Sequence, residues 1–154
     1  MTKKFKEYKN YPFVWENYFI FLFKRNMADK ARSLLNKALL VLPKKDHIDL
    51  IKKFAQLEFK FGDPEKGCTT FESLVSNYFK RTDIWNIYVD MLVKQNQIDK
   101  ARHVLERMAG LKLKLVKMRF IFKKFMDFER DYGTQQNRDA LKTRVEDLLS
   151  NHFE

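Results

Sequence analysis

The side chains best suited to covalent or metal chemistry are few and scattered in this chain. The histidines are His47, His103 and His152, and Cys68 is the one cysteine. They fall in different segments without ligand spacing, so no zinc set can be assembled from them. No glycine-rich phosphate loop, nucleophile elbow or HExxH motif occurs in the sequence. We therefore expect no enzyme, no cofactor, no metal site and no small-molecule substrate.

A basic segment is the strongest candidate for a binding site. From Arg107 to Met126 there are seven basic residues and no acidic one. The candidate contacts for RNA or an acidic partner are Lys112, Lys114, Lys117, Arg119, Lys123 and Lys124. Basic side chains hold phosphates, and an aromatic ring among them can stack on a base. An acidic protein surface is the alternative ligand, and the pattern does not choose between the two.

The composition indicates a helical protein with an anionic partner. The 154 residues include 15 Phe, 6 Tyr and 2 Trp, but only 4 Gly and 3 Pro, too few for the turns of an all-β protein. The formal net charge is +11, and such an excess favours nucleic acid or an acidic protein. A single thiol fits a reducing compartment, since it forms no intrachain disulfide. No run of 18 apolar residues is present, so we expect no membrane span.

Internal repetition predicts the elements that position the basic segment. Asp29-Lys30-Ala31-Arg32 recurs 70 positions later as Asp99-Lys100-Ala101-Arg102. A second set of matches, among them Glu58 to Glu129, is offset by 71 positions. Half of these offsets is a unit of about 35 residues, the length of a tetratricopeptide repeat. We therefore predict an all-α fold: a right-handed α-α superhelix, or solenoid, of about four helix-turn-helix repeats, each with a helix A and a helix B.

The predicted repeats cover a single domain, residues 13–150. They span about 13–45, 46–80, 81–113 and 117–150 and are numbered one to four below. Residues 1–12 form a basic segment, interpreted as a frayed terminus or the end of a preceding helix, and not as a signal peptide. Apolar residues at both ends suggest a piece of a longer array. The predicted repeat core comprises Trp15, Tyr18, Ala31, Phe54, Trp85, Tyr88, Ala101, Phe122 and Phe125.

Turn residues recur in phase with the repeats. The predicted A helices start near Trp15, Ile51, Trp85 and Phe122. Eleven positions after each start stand Asn26, Gly62, Asn96 and Gly133, and Gly and Asn tolerate a left-handed backbone at a helix end. Asp63-Pro64-Glu65 reads as an N-cap, a first-turn proline and an acid at the helix dipole. We expect a longer loop after Gly133 than in the other repeats. The alternating stretch 111–115 is interpreted as a loop and not a strand.

Phe120 can be interpreted in two ways. With Met118, Phe122 and Phe125 facing inward on a helical wheel, Phe120 points away from the core, between two basic flanks. Our favoured interpretation is that it packs on repeat three, because the inner helices of a solenoid bury two sides. The alternative is an exposed ring that stacks on RNA.

The paired Trp15/Tyr18 and Trp85/Tyr88, with Glu58, Glu129 and the Ala-Arg pairs, resemble half-a-tetratricopeptide (HAT) repeats. Longer strings resemble one family, the ribosomal RNA processing protein five family, in its C-terminal HAT region. These strings are LPKKDHIDLIKKFAQLEFKFGD (42–63), NYFKRTDIWNIYVDM (77–91) and KMRFIFKKFMDFERDYGT (117–134). Gly67 and Cys68 depart from the Ala-Arg of the other repeats.

The resemblance implies a scaffold module in ribosome biogenesis. Its implied partners are precursor ribosomal RNA and ribosome-assembly proteins, and its implied location is the nucleolus or nucleus. That family also carries S1 RNA-binding domains, so the chain would correspond to its C-terminal module alone. The alternative is a purely protein–protein docking or dimerisation module of another RNA-processing complex.

Overall fold

Every regular element in the part of the chain that the structure describes, residues 8–153 of this computed structural model, is helical. The α-helices are α1 (Pro12–Lys24), α2 (Ala28–Val41), α3 (His47–Phe61), α4 (Pro64–Asn77), α5 (Thr82–Lys94), α6 (Ile98–Ala109), α7 (Leu115–Tyr132) and α8 (Gln135–Phe153). A 3₁₀ turn, Lys44–Asp46, precedes α3. The predicted all-α class is confirmed, and residues 111–114 form a loop. Residues 1–7 of the basic N-terminal segment lie outside the described residues.

Internal contacts divide the chain into two compact halves, Met1–Ile84 and Trp85–Glu154. The N-terminal half holds α1 to α4, the C-terminal half holds α6 to α8, and α5 runs across the division. Odd-numbered helices are the A helices of the repeats and even-numbered helices are the B helices. Each A helix is joined to its B helix by a turn of two or three residues, which is the connection length of a helical hairpin.

Aromatic side chains form the core of the N-terminal half. Trp15 and Phe19 of α1 are buried together with Ala31 of α2. Phe54 of α3 meets Phe19 edge-on, with ring centroids 5.1 Å apart, a favourable arrangement for two aromatic quadrupoles. Tyr18 is only partly buried; it stacks on Phe21, with centroids 6.2 Å apart. Phe21 itself is 47% exposed, so this flank of α1 carries an aromatic ring at the surface.

The C-terminal half buries the equivalent positions more completely. Trp85 and Tyr88 of α5, Ala101 of α6, and Phe122 and Phe125 of α7 are all buried. The last helix contributes Leu141 to the core, whereas Val145 and Leu148 are half-buried and Leu149 is exposed. The apolar contact through which α8 completes the hairpin with α7 is therefore small.

A buried glutamate in each half joins two consecutive repeats. Arg32 of α2 donates hydrogen bonds of 2.8 and 3.1 Å to the carboxylate of Glu58 in α3. The same carboxylate accepts the backbone N–H of Asp63 at 2.9 Å. Arg102 of α6 donates to Glu129 of α7 at 2.7 Å. Glu58 and Glu129 are almost wholly buried, and the hydrogen bonds to Glu58 are the main cause that raises the pKa of Arg32.

The turns after α1 and α5 are left-handed, as the sequence predicts for Asn26 and Asn96. Their φ angles are 59° and 57°. The N–H of Asn26 bonds to the Phe23 carbonyl and the N–H of Met27 to the Leu22 carbonyl, which is the Schellman arrangement of a helix C-terminus. The same two bonds recur 70 positions later, around Asn96. A side chain with a polar tip tolerates this conformation at little cost.

The prediction is wrong for the two glycine turns. Gly62 has φ −116° and Gly133 has φ −102°, so neither is left-handed. Glycine is required at these turns because there is no room for a side chain. A Cβ on Gly62 would lie 2.7 Å from a carboxylate oxygen of Glu58. A Cβ on Gly133 would collide with the carboxylate of Glu129 in the same way. Glycine stands here because a buried glutamate folds back against the turn.

Two further expectations concern the B helices. The N-cap of α4 is confirmed, since the side chain of Asp63 accepts the backbone N–H of Glu65 at 3.0 Å. The expected longer loop after Gly133 is wrong, because α8 begins two residues later at Gln135. There the backbone N–H and the hydroxyl of Thr134 both donate hydrogen bonds to the side-chain oxygen of Asn137. The backbone N–H of Asn137 in turn donates to the hydroxyl oxygen of Thr134. This local cap starts α8 without extra chain.

Candidate nucleic-acid interface

The six basic residues singled out from the sequence lie at the start of α7 and in the loop before it. Lys112 and Lys114 are exposed in the loop, and Lys114 is the N-cap residue of α7. The other four, Lys117, Arg119, Lys123 and Lys124, lie within the first ten residues of the helix. The six residues are therefore close together in the sequence, but their side chains point in different directions.

Lys124 lies on a different flank of α7 from Lys123. Its ammonium is 2.8 Å from a carboxylate oxygen of Asp90 in α5, and its side chain is 27% exposed. Lys123 is 74% exposed and is held only loosely, 3.4 Å from Asp127 on the same helix. An exposed pair of this length contributes little and is easily exchanged for another anion. Lys123 is thus available to a ligand, whereas Lys124 is committed to α5.

Four residues of α7 form a continuous open surface, which we call the α7 outer face: Val116, Arg119, Phe120 and Lys123. They line a surface depression of about 420 Å³. Phe120 is 68% exposed and Val116 is 65% exposed. The interpretation that Phe120 packs on repeat three is therefore wrong, because α7 turns Ile121, Phe125 and Phe128 to the core instead.

The electrostatics of the α7 outer face favour an anion. Its first helical turn carries no acidic residue, whereas Asp49, Glu65 and Asp83 stand in the first turns of α3, α4 and α5. The partial positive charge at a helix N-terminus therefore adds to the charge of the lysines around it. Acidic side chains of α7 begin only at Asp127. Negative charge would be held best along the first half of the helix.

The position of Phe120 can be compared across the four repeats. Trp15, Ile51, Trp85 and Phe122 occupy the same position of their A helices. Two residues before them stand Phe13, Asp49, Asp83 and Phe120 in turn, and all four are exposed. The two aspartates are engaged in ion pairs: Arg81 lies 2.8 Å from Asp83 and 3.5 Å from Asp49. The hydrogen bonds from Arg81 hold the pKa of Asp83 below its usual range. This position is thus a surface position of the repeat, and Phe120 is a ring placed on it.

Sequence reasoning missed Val116 as a member of this surface. Val116 precedes Phe120 by four residues, and residues four apart are neighbours on one helix face. The spacing identifies it, but a single apolar residue is not distinctive in the sequence beside six basic ones. Arg107, at the start of the basic segment, lies elsewhere: its guanidinium is 5.2 Å from the ring centre of Trp85.

Within residues 8–153, no three His, Cys, Asp or Glu side chains come together in a way that could hold a metal ion. No helix in the same range combines the length and the apolar character that a membrane crossing needs.

The paired helices, their short turns and the glutamate joints define a helical-repeat protein of the HAT class. The chain belongs to the suppressor of forked family, whose model matches residues 2–154. The resemblance to the ribosomal RNA processing protein five family is likewise confirmed by individual relatives.

Three relatives illustrate the match. The chain is 41% identical over 150 residues to the rRNA biogenesis protein rrp5 of Schizosaccharomyces pombe, covering 97% of this chain and 9% of that protein. It is 40% identical over 145 residues to the protein RRP5 homolog of Homo sapiens, covering 94% and 8%. It is 40% identical over 153 residues to the rRNA biogenesis protein RRP5 of Drosophila melanogaster, covering 99% and 10%. The chain therefore spans about a tenth of the length of the curated relatives that it matches.

Proposed function

We propose that this chain is a non-catalytic scaffold module in ribosome biogenesis, acting in the nucleolus or nucleus on precursor ribosomal RNA together with assembly proteins. Its family membership and the names of its relatives support the process. Its net charge of +11 supports an anionic partner. The observation that carries the RNA contact is the α7 outer face, where basic side chains and an exposed ring share one surface.

Charge reversal tests the RNA contact. The variant Arg119→Glu/Lys123→Glu should lose most of the affinity of the chain for a labelled 12-nucleotide oligouridylate, measured by fluorescence anisotropy. The matched control is Lys37→Glu/Lys100→Glu, which makes the same change in net charge at exposed positions of α2 and α6. If about four phosphates are held, the log–log salt slope of the native chain should be near −3, at roughly −0.7 for each phosphate. Equal loss in both variants would contradict a site on α7 and leave only a diffuse charge effect.

A purely protein-docking function is the second candidate. The observation that favours it is the exposed ring of Phe21 in α1, which stacks on Tyr18 and has the guanidinium of Arg25 4.8 Å from its ring centre. The equivalent residues of α5, Tyr88 and Met91, are buried, so this flank has the composition of a packing surface. Co-purification of a defined assembly protein that Phe21→Glu abolishes, with no RNA binding at physiological salt, would favour this function over the first.

A further inference from the structure

We infer that the α7 outer face binds an unpaired nucleotide of single-stranded RNA, with its base stacked on the ring of Phe120 and the adjoining phosphates at Arg119 and Lys123. This inference rests on the RNA contact proposed above and adds the class of RNA that the surface selects. It is carried by three observations: the exposure of the ring, the placement of the two cations beside it, and the depression that they line with Val116.

The exposure of Phe120 is not explained by packing between repeats. The positions of α7 that serve the core are Ile121, Phe125 and Phe128, and all three are buried. The equivalents of Phe120 in repeats two and three are exposed aspartates in ion pairs. A further repeat would therefore leave this position open, and a large apolar ring held in water has a free-energy cost that binding can recover.

The neighbours of the ring suit a nucleotide. Residues three or four apart on a helix surface lie about 5–6 Å from each other, so Lys123 neighbours both the ring of Phe120 and Arg119. Arg119 lines the same depression as the ring. In an RNA strand, the two phosphates that flank a base lie at a similar distance from that base. A depression of about 420 Å³ also falls within the ~300–1,000 Å³ range of small-ligand sites. Val116 supplies an apolar wall beside the ring.

Single-stranded RNA fits this surface better than an RNA duplex or an acidic peptide. In a duplex the faces of the bases are covered by their stacked neighbours, so a protein ring reaches a base face only in unpaired RNA. Carboxylates of an acidic peptide would pair with Arg119 and Lys123 but would gain nothing from the exposed ring. Stacking on a ring tolerates any base, because every base has a π-face. The surface should therefore prefer unpaired RNA without a strong sequence preference.

The test compares Phe120→Ala, Phe120→Trp and Phe13→Ala in the intact 154-residue chain. Phe13 is the matched control, because it is an exposed ring at the same repeat position, flanked by Pro12 and Glu16 where Phe120 has Arg119 and Lys123. We expect Phe120→Ala to weaken binding of the 12-nucleotide oligouridylate about tenfold. Its affinity for a 12-base-pair RNA duplex and its salt slope should not change, because no phosphate contact is removed. Phe120→Trp should retain affinity, and Phe13→Ala should bind as the native chain does.

The outcomes separate this inference from the proposed function. If charge reversal on α7 weakens RNA binding but Phe120→Ala does not, the RNA contact stands and the stacked base is overturned. If the native chain binds no oligouridylate, the proposed function itself fails at this surface. If Phe120→Ala weakens binding of poly-glutamate as much as that of oligouridylate, the surface is a protein site and the inference is overturned. Circular dichroism of each variant confirms that the helices are intact.

Discussion

The carboxylate of Glu58 accepts hydrogen bonds from the guanidinium of Arg32 and the backbone N–H of Asp63, and it fills the space above Gly62. All but a trace of this carboxylate is buried, so its charge is compensated almost entirely by those hydrogen bonds. A buried carboxylate that keeps its partners costs little, whereas removing one partner strands the other. Glu129 is served less fully, since one of its oxygens accepts no hydrogen bond among the described residues.

The joint between repeats one and two should therefore respond non-additively to substitution. Leu22 and Leu92 stand where Glu58 and Glu129 stand in the other repeats, and Cys68 stands where Arg32 stands. We expect Glu58→Leu alone to lower the free energy of unfolding by about 2–4 kcal/mol, because Arg32 and the backbone N–H of Asp63 both lose their buried partner. Arg32→Cys/Glu58→Leu should recover most of that loss, since an apolar pair often replaces a buried ion pair without penalty. Urea unfolding of both single variants and the double variant measures the coupling, and simple additivity would contradict the joint.

Gly62 provides a second test at single-residue scale. Gly62→Ala places a Cβ 2.7 Å from a carboxylate oxygen of Glu58 and 2.8 Å from the ring of Phe23. We expect a loss of roughly 1–3 kcal/mol, the range for overpacking a filled site. Gly110→Ala is the matched control, because the nearest atom to its Cβ would be 3.5 Å away. That variant should be neutral or slightly more stable, and comparable losses in both variants would show that space at Gly62 is not the cause.

Among the elements, the turns separate what sequence can predict from what it cannot. The helices follow from apolar spacing and from caps such as Asp63. Their starts were predicted less well, since the A helices begin at Pro12, His47, Thr82 and Leu115, three to seven residues before the predicted positions. The turn residues were all recognised, but only the asparagine turns take the left-handed conformation. What distinguishes a glycine turn is the carboxylate of a glutamate four residues earlier, pulled back by an arginine of the previous helix. That contact joins residues 26 or 27 positions apart, and no local pattern encodes it.

The two turn types should therefore differ in which substitutions they accept. At Asn26, with φ 59°, Asn26→Ala forces an ordinary side chain into the left-handed region at a cost of about 1 kcal/mol. Asn26→Gly should be close to neutral, because glycine adopts this conformation freely. Thermal unfolding of the two variants gives the comparison. Equal melting temperatures for the alanine and glycine variants would mean that the left-handed turn does not limit stability.

At the scale of the whole molecule, the two compact halves should respond separately to local damage. Stability in a repeat protein is a sum of repeat terms and nearest-neighbour terms, and each half contains its own arginine–glutamate joint. Arg32→Ala should raise amide hydrogen exchange in α1 to α4 more than in α6 to α8. Hydrogen-exchange mass spectrometry with Arg102→Ala as the reciprocal variant measures this. A uniform rise across all helices in both variants would show that the halves unfold as one.

Only part of the candidate site could be predicted from the sequence. The basic residues stand out by composition, and the wheel of α7 correctly turned Phe120 outward. Whether that ring was covered could not be predicted, because the answer depends on which flanks of α7 neighbouring helices occupy. The same uncertainty hid the separation of Lys124, which Asp90 holds against α5, from the exposed Lys123. Side chains four residues apart can be placed by periodicity, but their partners on other helices require the fold.

The alternation of the two turn types limits how repeats can be added to such a chain. A glutamate with its glycine turn follows an arginine-bearing repeat, and a leucine with its asparagine turn follows Cys68. A single added repeat of about 35 residues would break this phase, setting an arginine before a leucine or a glutamate behind a cysteine. A duplicated pair would keep every partner. Gain and loss of repeats in this lineage should therefore proceed in steps of about 70 residues, so the pair, rather than the hairpin, is the unit that is inherited.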